Sequence, residues 1–432
     1  MHKKKTKIAI IIEVKKRELP FFSILEDILT TEGFNVKLIP FRSMCTWRLL
    51  KFRPDIILVN GIRTTYPYYY SQIALPKQLF NAKVACYYSE QIGYYEESLA
   101  RGYRNQLVFD NVDFHIGWGP RFCRDLECAG VDHSKLWYLG SLQYDIDVYY
   151  NRNAHSEKMN LAAKYGIDAN KRWILYADNI IKNYQPQEYY SQRRQDSFDV
   201  VKKSAEKNPD AIVIFRTHPE TSKEEIDIIK DYFKNNDNVI FNNQEHIFYW
   251  TLSCDAEIVW CSTSSIQALF LNKPVFGFMT SDKQDQKRYW YRDVFPLYED
   301  YDQLAEDVRT TFEGKLTNLE KNIREARANY IAEWYYKKDG LSFNRLVSLF
   351  KQIESSDFHP LYGEKCNIGL LTLIKILYFE FRAYMGDLLK GRNKDRNVTR
   401  NETVVEKQKY DLSRYRHRDF EIKQSESGFF FE

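Results

Sequence analysis

Short runs of β-branched and aliphatic residues alternate with helical stretches through the first half of the chain, which is the pattern of parallel βαβ units. Lys7 to Ile12 reads as a buried strand, Pro20 to Glu32 as a helix, and Asn35 to Ile39 and Asp55 to Val59 as further strands. Lys83 to Tyr88 and Phe114 to Gly117 continue the series, each apolar run giving way to polar, Gly or aromatic residues where a strand meets its loop. A polar stretch, Asn151 to Lys158, then precedes a helix and the pair Lys171-Arg172. After it the pattern restarts with Trp173 to Ala177, Ala211 to Phe215, Val239 to Phe241, Glu257 to Cys261 and Pro274 to Phe278.

The expected fold class is therefore α/β: two doubly wound, Rossmann-like domains over 1–155 and 165–350, with a helical and basic tail over 351–432. Two such domains on a short linker place ligands in a cleft at the carboxyl ends of both sheets. In the tail, Asn367 to Lys390 is largely apolar but interrupted by Lys375, Glu380, Arg382 and Asp387, so it is a helix packed on the core or lying at an interface. From Lys390 to Arg418 there are ten Lys or Arg against four Asp or Glu, which reads as a flexible cationic segment with or without a partner. The expectation is peripheral contact with an anionic inner membrane.

The 432 residues are long enough for two or three domains, and 44% hydrophobic residues supply ample core. With 63 basic against 59 acidic residues, the chain is too balanced for a protein that neutralises long stretches of nucleic acid. Seven scattered cysteines form no paired CxxC motifs and read as reduced core thiols, hence a cytoplasmic setting. The apolar run after MHKKKTK ends at Glu13, too early for an export signal, and no long window is free of charge. Tyr, Phe and Trp make up 16% of the chain; such rings suit stacking on sugars but are also routine between surface and core.

Chemistry concentrates at predicted strand ends. Arg216-Thr217-His218-Pro219-Glu220 follows the strand Ala211 to Phe215, so an imidazole and a guanidinium stand where a phosphate or ribose could be held. A His satisfying a loop carbonyl is the plain alternative. Ser262-Thr263-Ser264-Ser265 opens the helix after Glu257 to Cys261, offering hydroxyls and free N–H groups to a phosphate, or merely capping the helix. Ser89-Glu90-Gln91-Ile92-Gly93 puts a carboxylate at the matching edge of the first domain; Glu90 is the general-base candidate, with a loop carboxylate as the plain reading. Asp145-Ile146-Asp147 could be read as a metal-binding DxD, a very common pattern. There is no GxxxxGK[ST] loop, no GxGxxG after the first strand, no HExxH and no Gly-x-Ser-x-Gly elbow.

These segments resemble a known family. Ile12 to Leu19 resembles the opening "VE…REL" segment of bacterial surface carbohydrate biosynthesis proteins, and Ser89 to Gly93 their "DEEG" segment. Ile116-Gly117-Trp118-Gly119 and Leu139 to Asp145 resemble the "WG" and "GNPRxD" segments that follow in the same order. His218-Pro219 and Ser264-Ser265 are similar to the HP and SS motifs of bacterial sialyltransferases, polysialyltransferases, capsule Kdo transferases and CDP-glycerol glycerophosphotransferases. The acidic pair is here Glu90-Gln91, and Gly140 to Gln143 lacks the family's Pro and Arg.

The resemblance implies a GT-B fold and a glycosyltransferase of surface polysaccharide (capsule or O-antigen) biosynthesis that uses a CMP-activated donor such as a Kdo-like or sialic-like sugar, without a metal or other cofactor. It implies His218 and Glu90 as catalytic residues. Arg216, His218, Pro219, Glu220, Ser262, Thr263, Ser264, Ser265 and Gln267 are implied on the donor side, and Arg17, Gln91, Gly93, Trp118, Gly119 and Ser141 on the acceptor side. The expected partners are a nucleotide-sugar donor and a glycan or lipid-linked glycan acceptor, with no nucleic acid. A CDP-glycerol-type polyol-phosphate transferase and a non-catalytic scaffold of a capsule assembly complex are the alternatives.

Overall fold

A computed structural model describes residues 5–41, 44–62, 65–91, 105–150, 154–180, 182, 187–218, 221–281, 294–315, 318–355, 368–389, 400–416, 418, 422–425 and 428–431. The chain forms two compact units, one of residues 1–93, 97–151 and 331–432, the other of 94–96 and 152–330.

The first unit runs β1 (Lys7–Ile12), α1 (Lys15–Thr31), β2 (Asn35–Pro40), α2 (Cys45–Phe52), β3 (Ile56–Asn60), a π-helical stretch Thr65–Ala74, α3 (Leu75–Phe80), β4 (Lys83–Tyr87), α4 (Gln106–Asn111), β5 (Phe114–Gly117), α5 (Pro120–Cys128) and β6 (Leu136–Tyr138). Strands β6-β5-β4-β3-β1-β2 lie side by side and pair in parallel. Their near-continuous apolar sequences follow from burial on both faces, as in Ile8 to Ile12 and Ile56 to Val59. The second unit runs α6 (Ala154–Tyr165), β7 (Arg172–Ala177), α7 (Gln187–Lys207), β8 (Ala211–Arg216), α8 (Lys223–Tyr232), β9 (Val239–Phe241), α9 (Ile247–Ser253), β10 (Ala256–Val259), α10 (Ser264–Phe270), β11 (Val275–Phe278), β12 (Leu297–Tyr298), α11 (Tyr301–Phe312), α12 (Asn318–Asn322) and the start of α13 (Arg324–Tyr335), whose residues from 331 onward belong to the first unit. Its sheet, in the order β12-β11-β10-β7-β8-β9, is parallel throughout.

The chain then returns to the first unit through α14 (Ser342–Ser355), α15 (Leu370–Leu389), the helix Arg400–Lys407 and the antiparallel pair β13 (Ile422–Ser425) and β14 (Gly428–Phe431), which extends the first sheet beside β6. Residues 331–350, which the sequence pattern grouped with the second domain, thus belong to the first. The reason is visible in α14, where Phe343, Leu346, Val347, Phe350 and Ile353 are buried. The Ser342 N–H donates to Asp145 at 2.9 Å, Arg345 Nη1 donates to the Leu139 carbonyl at 3.1 Å, and Lys83 Nζ donates to the Ile353 carbonyl at 2.7 Å. Asp145 is therefore a buried cap of α14. Gly140, at φ +93°, lies where a Cβ would come within 2.1 Å of Ser342 Oγ.

Two expectations are corrected. Helix α1 begins at Lys15 rather than Pro20, because Glu18 Oε2 accepts the N–H groups of Glu13 (2.7 Å) and Val14 (3.2 Å) and so fixes an earlier first turn. The described part of the basic segment is not a loose tail. Lys407 pairs with Glu26 (2.9 Å) and with Asp27, Tyr410 donates to the Pro20 carbonyl at 2.7 Å, and Asn344 Nδ2 donates to the Arg416 carbonyl at 2.7 Å. Acidic side chains on α1 give its cations a partner that sequence alone does not reveal.

The described cysteines are free thiols, all buried except Cys128. No described helix is long and apolar enough to cross a membrane.

Candidate functional site

In a doubly wound sheet, the loops diverge at the point where the strand order reverses, leaving a crevice outside the carboxyl ends of the two strands there. Each unit has one such point, and each carries a polar cluster on it.

In the first unit the reversal lies between β1 and β3. Asn60, the last residue of β3, donates through Nδ2 to Glu13 Oε2 (2.8 Å) and Glu18 Oε1 (2.9 Å). Its Oδ1 accepts the N–H groups of Gly61 (2.8 Å) and Ser89 (3.1 Å), tying the end of β3 to the loop after β4. Arg17 donates to Glu18 Oε1 at 2.9 Å and forms an ion pair with Glu90. Burial pushes the Glu18 carboxyl up, offset in part by Arg17. Glu90 is exposed at the rim of this cluster.

Gln91 is buried and structural in its contacts, accepting the Trp118 N–H at 2.7 Å and donating to the Tyr88 carbonyl at 2.8 Å. Trp118 is buried too, stacked on Tyr335 with centroids 5.6 Å apart. A Cβ on Gly119 would come within 2.5 Å of the Glu333 carbonyl oxygen, so this glycine serves the approach of α13. Ser141 is fully buried. Of the expected acceptor-side residues, only Arg17 sits in the cluster with Glu90; Gly93 lies outside the described residues.

In the second unit the reversal lies between β7 and β10. Asn179, just past β7, donates to the Cys261 carbonyl at 3.1 Å, bridging the two diverging loops. Below it Arg194 donates to Asp178 (2.8 Å) and to the Ile180 carbonyl, holding the loop after β7. After β10, Cys261 adopts φ +50°, a left-handed conformation that a non-glycine residue occupies at some cost. It turns the chain into Ser262–Thr263–Ser264. The Ser262 and Ser264 hydroxyls meet at 2.8 Å, and Ser264 donates to Glu257 Oε1 at 2.6 Å. Burial raises the Glu257 carboxyl to about 7, with the Ser264 bond pulling it back. Thr263 is exposed, and Ser262 and Ser264 are half-buried.

Register places these groups along one edge. Ala177 pairs with Val259 on one side and Arg216 on the other. His218 lies two residues past Arg216, the end of β8, which stands two places from β10 in the sheet order. It is half-buried, and its carbonyl accepts the Thr221 N–H at 3.0 Å. Pro219 and Glu220 lie outside the described residues.

Three expected donor contacts take a different form. The Arg216 guanidinium donates to the carbonyls of Gln244 (2.6 Å) and Glu245, and burial lowers its pKa to about 10; it braces the loop after β9. Ser265 is buried, with its hydroxyl on the Ser262 carbonyl at 2.6 Å, and Gln267 is buried as well. Sequence reasoning passed over Asn60 and Asn179, and held Glu13 and Glu18 only within the segment resembling "VE…REL". The signal of the two asparagines was position alone: each lies at or just past the end of β3 or β7, strands at the two reversal points. Among the described residues no group of three or more His, Cys, Asp or Glu is placed to hold a metal ion.

Residues 135–281, which include the second unit's whole polar edge, match the model of a family described as capsule polysaccharide biosynthesis protein. No curated protein matches the sequence. Among solved structures, the S. aureus MnaA–UDP complex is similar at a TM-score of 0.54 and 12% identity, covering 83% of this chain and 100% of that one. A Neisseria meningitidis UDP-GlcNAc 2-epimerase bound to UDP-GlcNAc gives 0.50 and 14%, covering 80% and 100%. The wall teichoic acid polymerase TagF gives 0.52 and 13%, covering 80% and 88%. The chain thus has two Rossmann-like domains of the GT-B type, and over 135–281 it is similar to capsule polysaccharide biosynthesis proteins.

Proposed function

We propose that the protein is a glycosyltransferase of surface polysaccharide assembly that takes its sugar from a nucleotide-activated donor. The observation that carries this reading is the polar edge at the β7/β10 reversal, inside the segment that matches the capsule family model. There, the exposed Thr263 hydroxyl and the half-buried His218 imidazole stand along the strand ends, on a turn held in shape by the Ser262–Ser264–Glu257 hydrogen bonds. That chemistry suits the phosphates and ribose of a donor nucleotide. Structures of the same fold are described with UDP, UDP-GlcNAc and CDPG, which supports a nucleotide ligand and leaves the base open.

In this reading the acceptor hydroxyl attacks the anomeric carbon of the donor. The bond from that carbon to the phosphate oxygen breaks, and the nucleotide leaves with the electron pair. Glu90 takes the acceptor proton, and Arg17, already paired with it, orients its carboxylate. His218 donates to the phosphate oxygen on which charge builds, and the serine turn fixes the phosphate. The donor is a CMP-linked acidic sugar of the Kdo or sialic type, and the reaction needs no metal.

Turnover of CMP-sialic acid and CMP-Kdo with a panel of glycan acceptors, in the presence of EDTA, tests each part. Release of CMP with sugar transferred, cut at least about 100-fold by Glu90→Gln and by His218→Ala, is the expected result. Transfer from CDP-glycerol, tested in parallel, with the donor phosphate retained in the product and CMP released would instead establish polyol-phosphate transfer, and nucleotide binding without turnover of any donor on any acceptor would favour a scaffold.

A further inference from the structure

Half of the large apolar side chains that stand exposed among the described residues, eight of sixteen, sit on α15. Single exposed apolar residues are ordinary; a contiguous set is not. At about 100° of rotation per residue, Leu370, Leu371, Ile374, Tyr378, Phe381 and Leu388 fall within one arc of about 100°. Each is between 47% and 75% exposed.

The helix cannot simply roll this face inward, because its other side is pinned. Ile376 and Glu380 are buried there, and Glu380 accepts the Thr46 N–H at 2.9 Å and the Thr46 hydroxyl at 2.7 Å in the first turn of α2. Leu373 packs against the core of the first unit. The helix is thus amphipathic with its apolar stripe outward, the inverse of a surface helix that shields a core.

Charge is also sorted around the helix. Exposed Lys375 and Arg382 flank the apolar arc on one edge, and the two acidic residues of α15, Glu380 and Asp387, fall on the opposite side. The sequence that follows, Lys390, Arg392, Lys394 and Arg396, adds further cations against Asp395. An apolar stripe edged by cations and set on a helix too charged and too short of apolar length to span a bilayer matches an anionic lipid surface.

We infer that α15 is an interfacial membrane-docking helix, its Leu370–Leu388 stripe entering the acyl boundary while Lys375 and Arg382 meet anionic headgroups. This inference does not rest on the catalytic reading. Truncating the chain before α15 would be a poor test, since it removes the buried Glu380–Thr46 contacts and the Lys407 pairs with α1. Point changes on the exposed face leave those contacts in place.

The experiment is co-sedimentation of the full chain with vesicles of phosphatidylcholine alone and of an equal mixture with phosphatidylglycerol. Expected is binding to the mixed vesicles, abolished in Leu371→Glu/Phe381→Glu. Lys375→Gln/Arg382→Gln should weaken it roughly 25-fold, about fivefold for each cation. All variants should retain wild-type thermal unfolding, which shows the fold is unharmed. No binding to the anionic vesicles, or equal binding by the double Glu variant, overturns the inference. So does a concentration-dependent dimer that the double Glu variant dissolves while vesicles bind neither protein, for the stripe then covers a second copy.

Discussion

Adding one methyl group at Gly119 tests whether the chain returns to the first unit within α13. The backbone of Gly119, at φ −138° and ψ 173°, is open to any residue, so alanine brings no conformational strain. The obstacle is space: the new Cβ would stand 2.5 Å from the Glu333 carbonyl oxygen and 2.5 Å from the Trp334 carbonyl carbon. Relief to ordinary contact demands a shift of about 1 Å in backbone. The end of α13 is held by the buried Tyr335 stacked on Trp118 and by the Arg124–Glu333 ion pair, so it cannot move freely. Overpacking of this kind costs about 1–3 kcal/mol, or roughly 2–12 °C in the unfolding midpoint of a unit of this size. Gly386→Ala is the internal control. Nothing lies within 4 Å of its added methyl, and alanine in a helix interior gains about 0.5–1 kcal/mol. Differential scanning calorimetry of both variants reads the two signs. A Gly119→Ala protein with an unchanged midpoint would refute the packing of α13 on the β5–α5 turn and, with it, the assignment of 331–432 to the first unit.

Lys77→Ala should cost about 3–5 kcal/mol in denaturant unfolding, because Lys77 Nζ meets both Asp113 oxygens at 2.7 Å in a buried pair and its loss strands the carboxylate. Burial raises the Glu380 carboxyl to about 7 from an ordinary 4.5, so its contribution to stability is complete below about pH 4.5 and is lost as the pH climbs through 7. The stability of wild type relative to Glu380→Gln should therefore be greater near pH 5 than near pH 8, by at most about 3 kcal/mol; a flat difference across that range would contradict the burial argument. Asn179→Ala, which removes the bridge to the Cys261 carbonyl, should weaken nucleotide binding about tenfold with a stability loss of only about 1 kcal/mol.

The alternation of apolar runs with helical stretches was enough to read the two Rossmann-like units, since strands buried on both faces must be apolar from end to end. The return of 331–432 was not legible in the same way. The burial of α14 depends on Asp145, Leu139 and Lys83, which lie about 200 residues or more earlier, and no local period encodes such a contact. At the candidate site, His218 and the serine turn could be found because both follow strands and have a chemical identity of their own. Asn60 and Asn179 could not, because an asparagine after a strand is ordinary until the strand order shows that it stands at a reversal point. Arg216 shows the same limit from the other side: a guanidinium at a strand end suggests a ligand contact, and only the structure shows that two of its N–H groups go to loop carbonyls.

Calorimetric titration of the protein with CMP, CDP, UDP and GDP, beside a His218→Ala variant, addresses the central claim that the β7/β10 edge of the second unit holds a donor nucleotide. The account predicts selective CMP binding that the variant loses. Binding of none of the four nucleotides, or CMP binding that is unchanged by His218→Ala, would contradict it.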